Sequence, residues 1–175
     1  MTETASQLDL RALWSEALSW EAFVASVREA VDLWHGLYEL ARAPQELVEE
    51  AAAKGPRHLL VIAEDWCGDA SSTVPVLVKF ADAVPGLDLR ILKRDEYPYV
   101  MDRYLTNGTR AIPVVIVLDA DYRQTGWWGP RPAELEAWVR QHRDSLPKVE
   151  RTRHSRGWYA RDKGRSAIRE VLGEF

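Results

Sequence analysis

The chain has 175 residues, 46% of them hydrophobic and 29% charged, and a net charge of −4. That balance fits one globular domain with additions and excludes wholesale disorder. A single cysteine, Cys67, excludes an intrachain disulfide, a dithiol redox cycle and a cysteine-based zinc cluster built by one subunit.

The opening stretch, MTETASQLDLRALW, lacks a basic segment followed by an apolar one, so it does not read as a secretory signal. No apolar run reaches the ~18–20 residues of a membrane span. The expectation is a cytoplasmic protein with no membrane partner. Charge is uneven: residues 146–175 hold eight Lys or Arg against four Asp or Glu, a net of +4, which leaves −8 on residues 1–145. A mildly basic tail on an acidic body hints at an intramolecular or partner contact, and nucleic-acid binding is not expected.

Residues 1–55 read as a helical extension. Leu10, Leu13, Trp14, Ala17 and Leu18 share one helical face. Ser19 is placed to cap a second helix in which Trp20, Phe23, Val24, Val27, Val31 and Trp34 repeat the pattern, on toward Ala41. Pro44 opens a third helix and Gly55-Pro56 closes it. These apolar faces are too wide for isolated helices. They call for packing on the domain or for a homodimer interface.

At residue 56 the period changes. Leu59–Ala63 is a continuous apolar run, as in a strand covered on both faces. Residues 68–84 read as a helix, 87–92 as a second strand, and Pro98 to Leu105 as a short helix ended by Asn107-Gly108. Val114–Leu118 is a third strand, 123–128 a fourth, and Leu135, Trp138, Val139 and His142 line a further helix. The order over 56–146 is β-α-β-α-β-β-α. Two crossovers predict parallel strands and a final turn an antiparallel one, in a mixed α/β sheet with helices on both faces. Residues 147–175 read as a basic tail ending in a short helix near Ala167–Leu172; within it Arg151–Arg161 mixes cations and aromatics and reads as a solvated helix packing Trp158 and Ile168 on the acidic body, with phosphate or nucleic-acid binding the lesser alternative.

Cys67 falls at the corner between the first strand and its helix, within Glu64-Asp65-Trp66-Cys67-Gly68-Asp69-Ala70. Open α/β sheets place their sites at this edge. The helix N-terminus favours a thiolate there, while Asp65 and Asp69 oppose it; the sequence leaves the balance open. Ser71, Ser72 and Thr73 either donate toward the sulfur or satisfy the first helical turn. Trp66 either shields the thiol and contacts a client or is ordinary packing. Trp127 and Trp128 point to opposite faces, one into the core, the other a candidate border of the client groove. His35, His58, His142 and His154 are scattered, and no metal-ligand spacing appears.

Trp66-Cys67-Gly68-Asp69-Ala70 followed by Pro75 resembles the active site of the thioredoxin superfamily, Trp-Cys-Gly-Pro-Cys with a helix proline. Arg110-Ala111-Ile112-Pro113 resembles the loop that carries that superfamily's cis-proline. The closer resemblance is to a bacterial thioredoxin-like family with helical additions at both ends. It implies a thioredoxin-like fold over 56–146, a cis bond at Pro113 and Pro113 beside Cys67.

The departures are as informative. Ala70 stands where the resolving cysteine would be, Val61 where the buried acid would be, and Asp69 where the motif has proline. The dithiol mechanism is therefore unavailable. The resemblance implies Cys67 as the reacting residue, with Trp66, Gly68, Asp69, Ala70, Ile112 and Pro113 contacting a client. Mixed disulfides with a protein or a low-molecular-weight thiol, glutathione or bacillithiol as co-substrate, are one expectation. A redox-silent binding module and a thiol oxidation sensor are the alternatives. No resident cofactor or metal is expected.

Overall fold

The computed structural model describes residues 8–175; residues 1–7 of the predicted extension lie outside the described residues. Among these, the chain runs α1 (Leu10–Glu16), α2 (Trp20–Ser26), α3 (Val31–Leu40), α4 (Gln45–Ala53), β1 (Arg57–Ala63), α5 (Gly68–Ala83) and β2 (Leu87–Lys93). It continues through α6 (Pro98–Met101), β3 (Val114–Leu118), β4 (Gln124–Trp128), α7 (Ala133–Gln141), α8 (Lys148–Asp162) and α9 (Arg165–Leu172). No helix among the described residues is long and apolar enough to cross a membrane.

The strands form a mixed sheet in the order β2-β1-β3-β4. β1 and β2 are parallel, with Val61 opposite Ile91. β3 runs antiparallel to β1, Val61 opposite Val115, and β4 runs antiparallel to β3. This corrects the expectation of two parallel crossovers. The second connection is not a strand-length helix: α6 is a single turn. A loop through the left-handed Asn107 and Gly108 then leads the chain into β3 against the direction of β1.

Alternation along the strands builds a core on each face. Leu59, Val61, Ala63, Val115 and Val117 pack with residues of α2–α5 and α9. Leu60, Ile62, Val114, Ile116 and Leu118 pack with Leu13 and Trp14 of α1 and Val100 and Met101 of α6. Val61, at the position of the missing acid, is fully buried in the first of these cores.

Ser19 caps α2, accepting the Ala22 N–H at 3.2 Å. The predicted long second helix is broken, however. Val27 turns extended as the C-cap of α2, and Ala30 takes a left-handed φ of 52° before α3 starts. Across this break Phe23, Val27 and Trp34 still enter one core, whereas Val31, on the same predicted face, lies exposed. Trp34 is fully buried and meets Phe23 edge-on at 5.1 Å. The N-terminal helices pack on the domain, while Val31, Leu33 and Leu40 of α3 stay exposed.

In the tail, the expected helix with Trp158 turned onto the body is α8, which is longer than the Arg151–Arg161 stretch and buries Trp158 and Tyr159. Gly164, at a left-handed φ of 79°, turns the chain into α9, whose Ala167, Ile168, Val171 and Leu172 enter the core.

Each outer edge of the sheet meets a segment from one end of the chain at a single point. Leu18 and Ile91 exchange two 2.8 Å backbone hydrogen bonds along β2. On β4, the Thr125 hydroxyl donates to the Glu174 carbonyl at 2.6 Å. A Cβ on Gly126 would meet the Glu174 side chain, which lies against the strand there.

Candidate active site at the α5 N-terminus

β1 ends at Ala63, and four residues later Cys67 is the N-cap of α5. Its extended backbone leaves the side chain over the first turn of the helix. There Sγ accepts the Ala70 N–H at 3.4 Å, the role a Ser or Asp oxygen usually fills. On its other side Sγ lies 3.4 Å from the Ile112 carbonyl, to which the thiol donates. The Ile112–Pro113 bond is cis. The structure therefore brings Cys67 and the loop before β3 together.

These contacts set the sulfur's acidity. Burial pushes the Cys67 thiol up; the Ala70 N–H opposes this and the nearby Asp69 charge adds to it. The Ile112 carbonyl points the same way, since it welcomes an S–H and repels a thiolate. The balance left open by the sequence thus falls on the side of the protonated thiol.

The other predicted site residues divide into two groups. Trp66 is 45% exposed, with the Arg94 guanidinium over its ring at 4.7 Å, and Gly68 is exposed beside it. Ile112 and Pro113 are buried, as is Ala70, which lies in the core. Asp69 has both carboxylate oxygens engaged inside the molecule. Oδ1 accepts the Tyr159 hydroxyl at 2.8 Å, and Oδ2 meets Arg131 at 2.8 Å. Ser71 and Ser72 donate to the Gly68 carbonyl at 3.0 and 2.9 Å, so these hydroxyls satisfy the helix turn. Trp128 is core, its indole N–H donating to Glu170 at 2.6 Å, and Trp127 packs edge-on against Tyr104.

Three further residues have partners that no sequence pattern signals. Asp65 accepts the backbone N–H groups of Arg28 and Glu29 at 2.7 and 3.2 Å, which ties the α2–α3 break to the motif. Burial opposes ionisation of Asp65, but these N–H groups outweigh it and its pKa falls below the ordinary carboxylate range. Glu64 is buried and accepts the Asp95 N–H at 2.9 Å; burial pushes its pKa up. Gly129, at φ 134°, packs so closely that a Cβ would lie 2.2 Å from the Pro113 carbonyl. From the sequence Asp65 reads only as a charge opposing the thiolate, and Gly129 only as a neighbour of the outward tryptophan at the border of the client groove. Among the described residues, no group of three or more His, Cys, Asp and Glu side chains is placed to hold a metal ion.

Comparison with known proteins places this geometry. Residues 17–146 match the family described as Thioredoxin, and the chain belongs to that family. The match takes in α2–α4 as well as the sheet. The structure is similar to that of a protein of unknown function from Pseudomonas aeruginosa, with 21% identity over 96% of this chain and 97% of that one, and a TM-score of 0.76. It is also similar to an engineered HIV epitope-scaffold, with 20% identity over 94% and 95% of the two chains and a TM-score of 0.71. At these identities the likeness concerns the fold, and it extends over the helices at both ends. Among curated proteins, none matches the sequence.

Proposed function

We propose that this thioredoxin-family chain works through one thiol, Cys67, forming mixed disulfides with a protein client or a low-molecular-weight thiol such as glutathione or bacillithiol. The observation that carries the reading is the seat of the sulfur. Sγ sits on the first-turn N–H of α5, with the Ile112 carbonyl against it.

The exchange balances with one protein sulfur. Cys67 loses its proton to solvent, and the thiolate attacks one sulfur of a disulfide R–S–S–R′. The Cys67–S–S–R bond forms, the old S–S bond breaks, and R′–S⁻ leaves with the electron pair and takes up a proton. An external thiol R″–SH then attacks the sulfur of R, giving R–S–S–R″ and returning Cys67 as the thiol. The protein ends as it began, and the resolving sulfur comes from R″–SH because Ala70 supplies none.

The protonated resting thiol makes this chemistry slow at neutral pH. The same observation favours a second reading, a redox-silent binding module that uses the Trp66 rim for contact. The two separate on intact-mass measurement with glutathione disulfide and bacillithiol disulfide, from about pH 7 to about pH 10. The single-thiol reading expects one adduct on Cys67, absent in Cys67→Ala, at a rate that climbs past the ordinary thiol range. No adduct at any pH, from a thiol that alkylates readily once the chain is unfolded, would leave the binding module.

A further inference from the structure

We infer that Asp69 is a positioning residue through which α8 and the β4–α7 loop govern the reactivity of Cys67. The inference rests on Cys67 being the working thiol, and it names the device that regulates it.

Asp69 lies in the first turn of α5, two residues beyond the sulfur. Its side chain is 17% exposed, and neither oxygen is free. Tyr159, a buried residue of α8, donates to Oδ1. Arg131 reaches Oδ2 and divides its guanidinium with Glu136 of α7, at 2.7 Å. The Arg131 side chain is 23% exposed and that of Glu136 20%, so the network is largely withdrawn from solvent, where its charges interact strongly. Trp158 pins the same stretch of α8 to α7 through its indole N–H on Glu134 at 3.1 Å.

The consequence for the thiol follows from charge. Asp69, on the sulfur's own helix, opposes ionisation, and Arg131, from the β4–α7 loop, favours it. Glu136 and Tyr159 act through these two. The loop before β3 presents the uncharged Ile112 carbonyl to the sulfur, and its Arg110 is turned onto Asp102. In the turn before α5, Asp65 faces the α2–α3 break and Glu64 faces Asp95. The carboxylate beside the sulfur is thus held in place by a phenol and a guanidinium from the C-terminal part of the chain. Burial with the Asp69 charge beside it pushes the Tyr159 phenol far up, so the phenol stays a hydrogen-bond donor at every pH relevant to the thiol.

The test is the rate of Cys67 alkylation by iodoacetamide against pH, on the full chain. Asp69→Asn is isosteric and removes the charge. It is expected to move the profile to lower pH and to speed alkylation at neutral pH about five- to tenfold, tenfold corresponding to one pKa unit. Tyr159→Phe leaves the carboxylate charged and stripped of one donor. It is expected to slow alkylation about twofold and move the profile to higher pH. A merely structural role would shift the denaturation midpoint and leave both profiles unmoved. Wild-type profiles in either folded variant overturn the inference. Alkylation needs no client, so it reads the network even where disulfide exchange fails.

Discussion

Asp65 and Asp69 flank the same sulfur at a distance of two residues, yet they are held by opposite ends of the chain and by different groups. Asp65 accepts two backbone N–H groups from the break between α2 and α3, and its own carbonyl takes the Trp34 indole N–H at 2.9 Å. Asp69 is held by side chains, the Tyr159 phenol and the Arg131 guanidinium. A backbone donor is fixed by the fold and carries no net charge to its partner. A side-chain ion pair brings a full charge to within reach of the thiol. The N-terminal grip therefore acts on stability and the C-terminal grip on reactivity.

Substitutions on the two sides should separate these roles. The largest effect is expected for Trp34→Ala, which empties a fully buried indole site and frees the Asp65 carbonyl. It should lower unfolding free energy by about 3–5 kcal/mol in urea titrations. On the C-terminal side, Gly164→Ala places a Cβ 2.2 Å from Val76 at a left-handed φ. It should cost about 2 kcal/mol and expose the α8–α9 joint to limited proteolysis before the sheet unfolds.

Asp65→Ala removes the acceptor of two N–H groups and should cost about 1–2 kcal/mol, with faster hydrogen exchange at Arg28 and Glu29. Its pH dependence has a definite sign. The folded pKa of Asp65 is depressed, so its stabilisation is complete above the unfolded value of about 3.9. It is lost as pH falls through the folded value, where wild type and variant converge. The smallest stability effect is expected for Tyr159→Phe, about 1 kcal/mol for one hydrogen bond. Should it instead destabilise as much as Trp34→Ala, the division between the two grips fails.

Much of this arrangement was legible in the residues. The apolar runs Leu59–Ala63 and Val114–Leu118 show central strands, and the Trp66–Ala70 corner with Ile112-Pro113 shows the family. Strand direction was not legible, because an apolar run reads the same both ways and α6 is too short to betray its connection. The break at Ala30 was hidden by an unbroken helical period, since tertiary contacts to Asp65 fix it. Asp69 read as a client contact because the motif position suggests one. Its partner Tyr159 lies 90 residues away on a helix that was legible, but no sequence pattern links a tyrosine there to the first turn of α5.

Whether Cys67 exchanges disulfides without a second protein sulfur is decided by an intact-mass time course. The folded chain is loaded with glutathione disulfide above the ordinary thiol pKa, desalted, and then given an external thiol. The account predicts a single glutathione adduct on Cys67 that persists after desalting and discharges only when the external thiol is added. A chain that never acquires the adduct, while its Asp69→Asn variant alkylates no faster than wild type, would contradict both the thiol and the network that is said to restrain it.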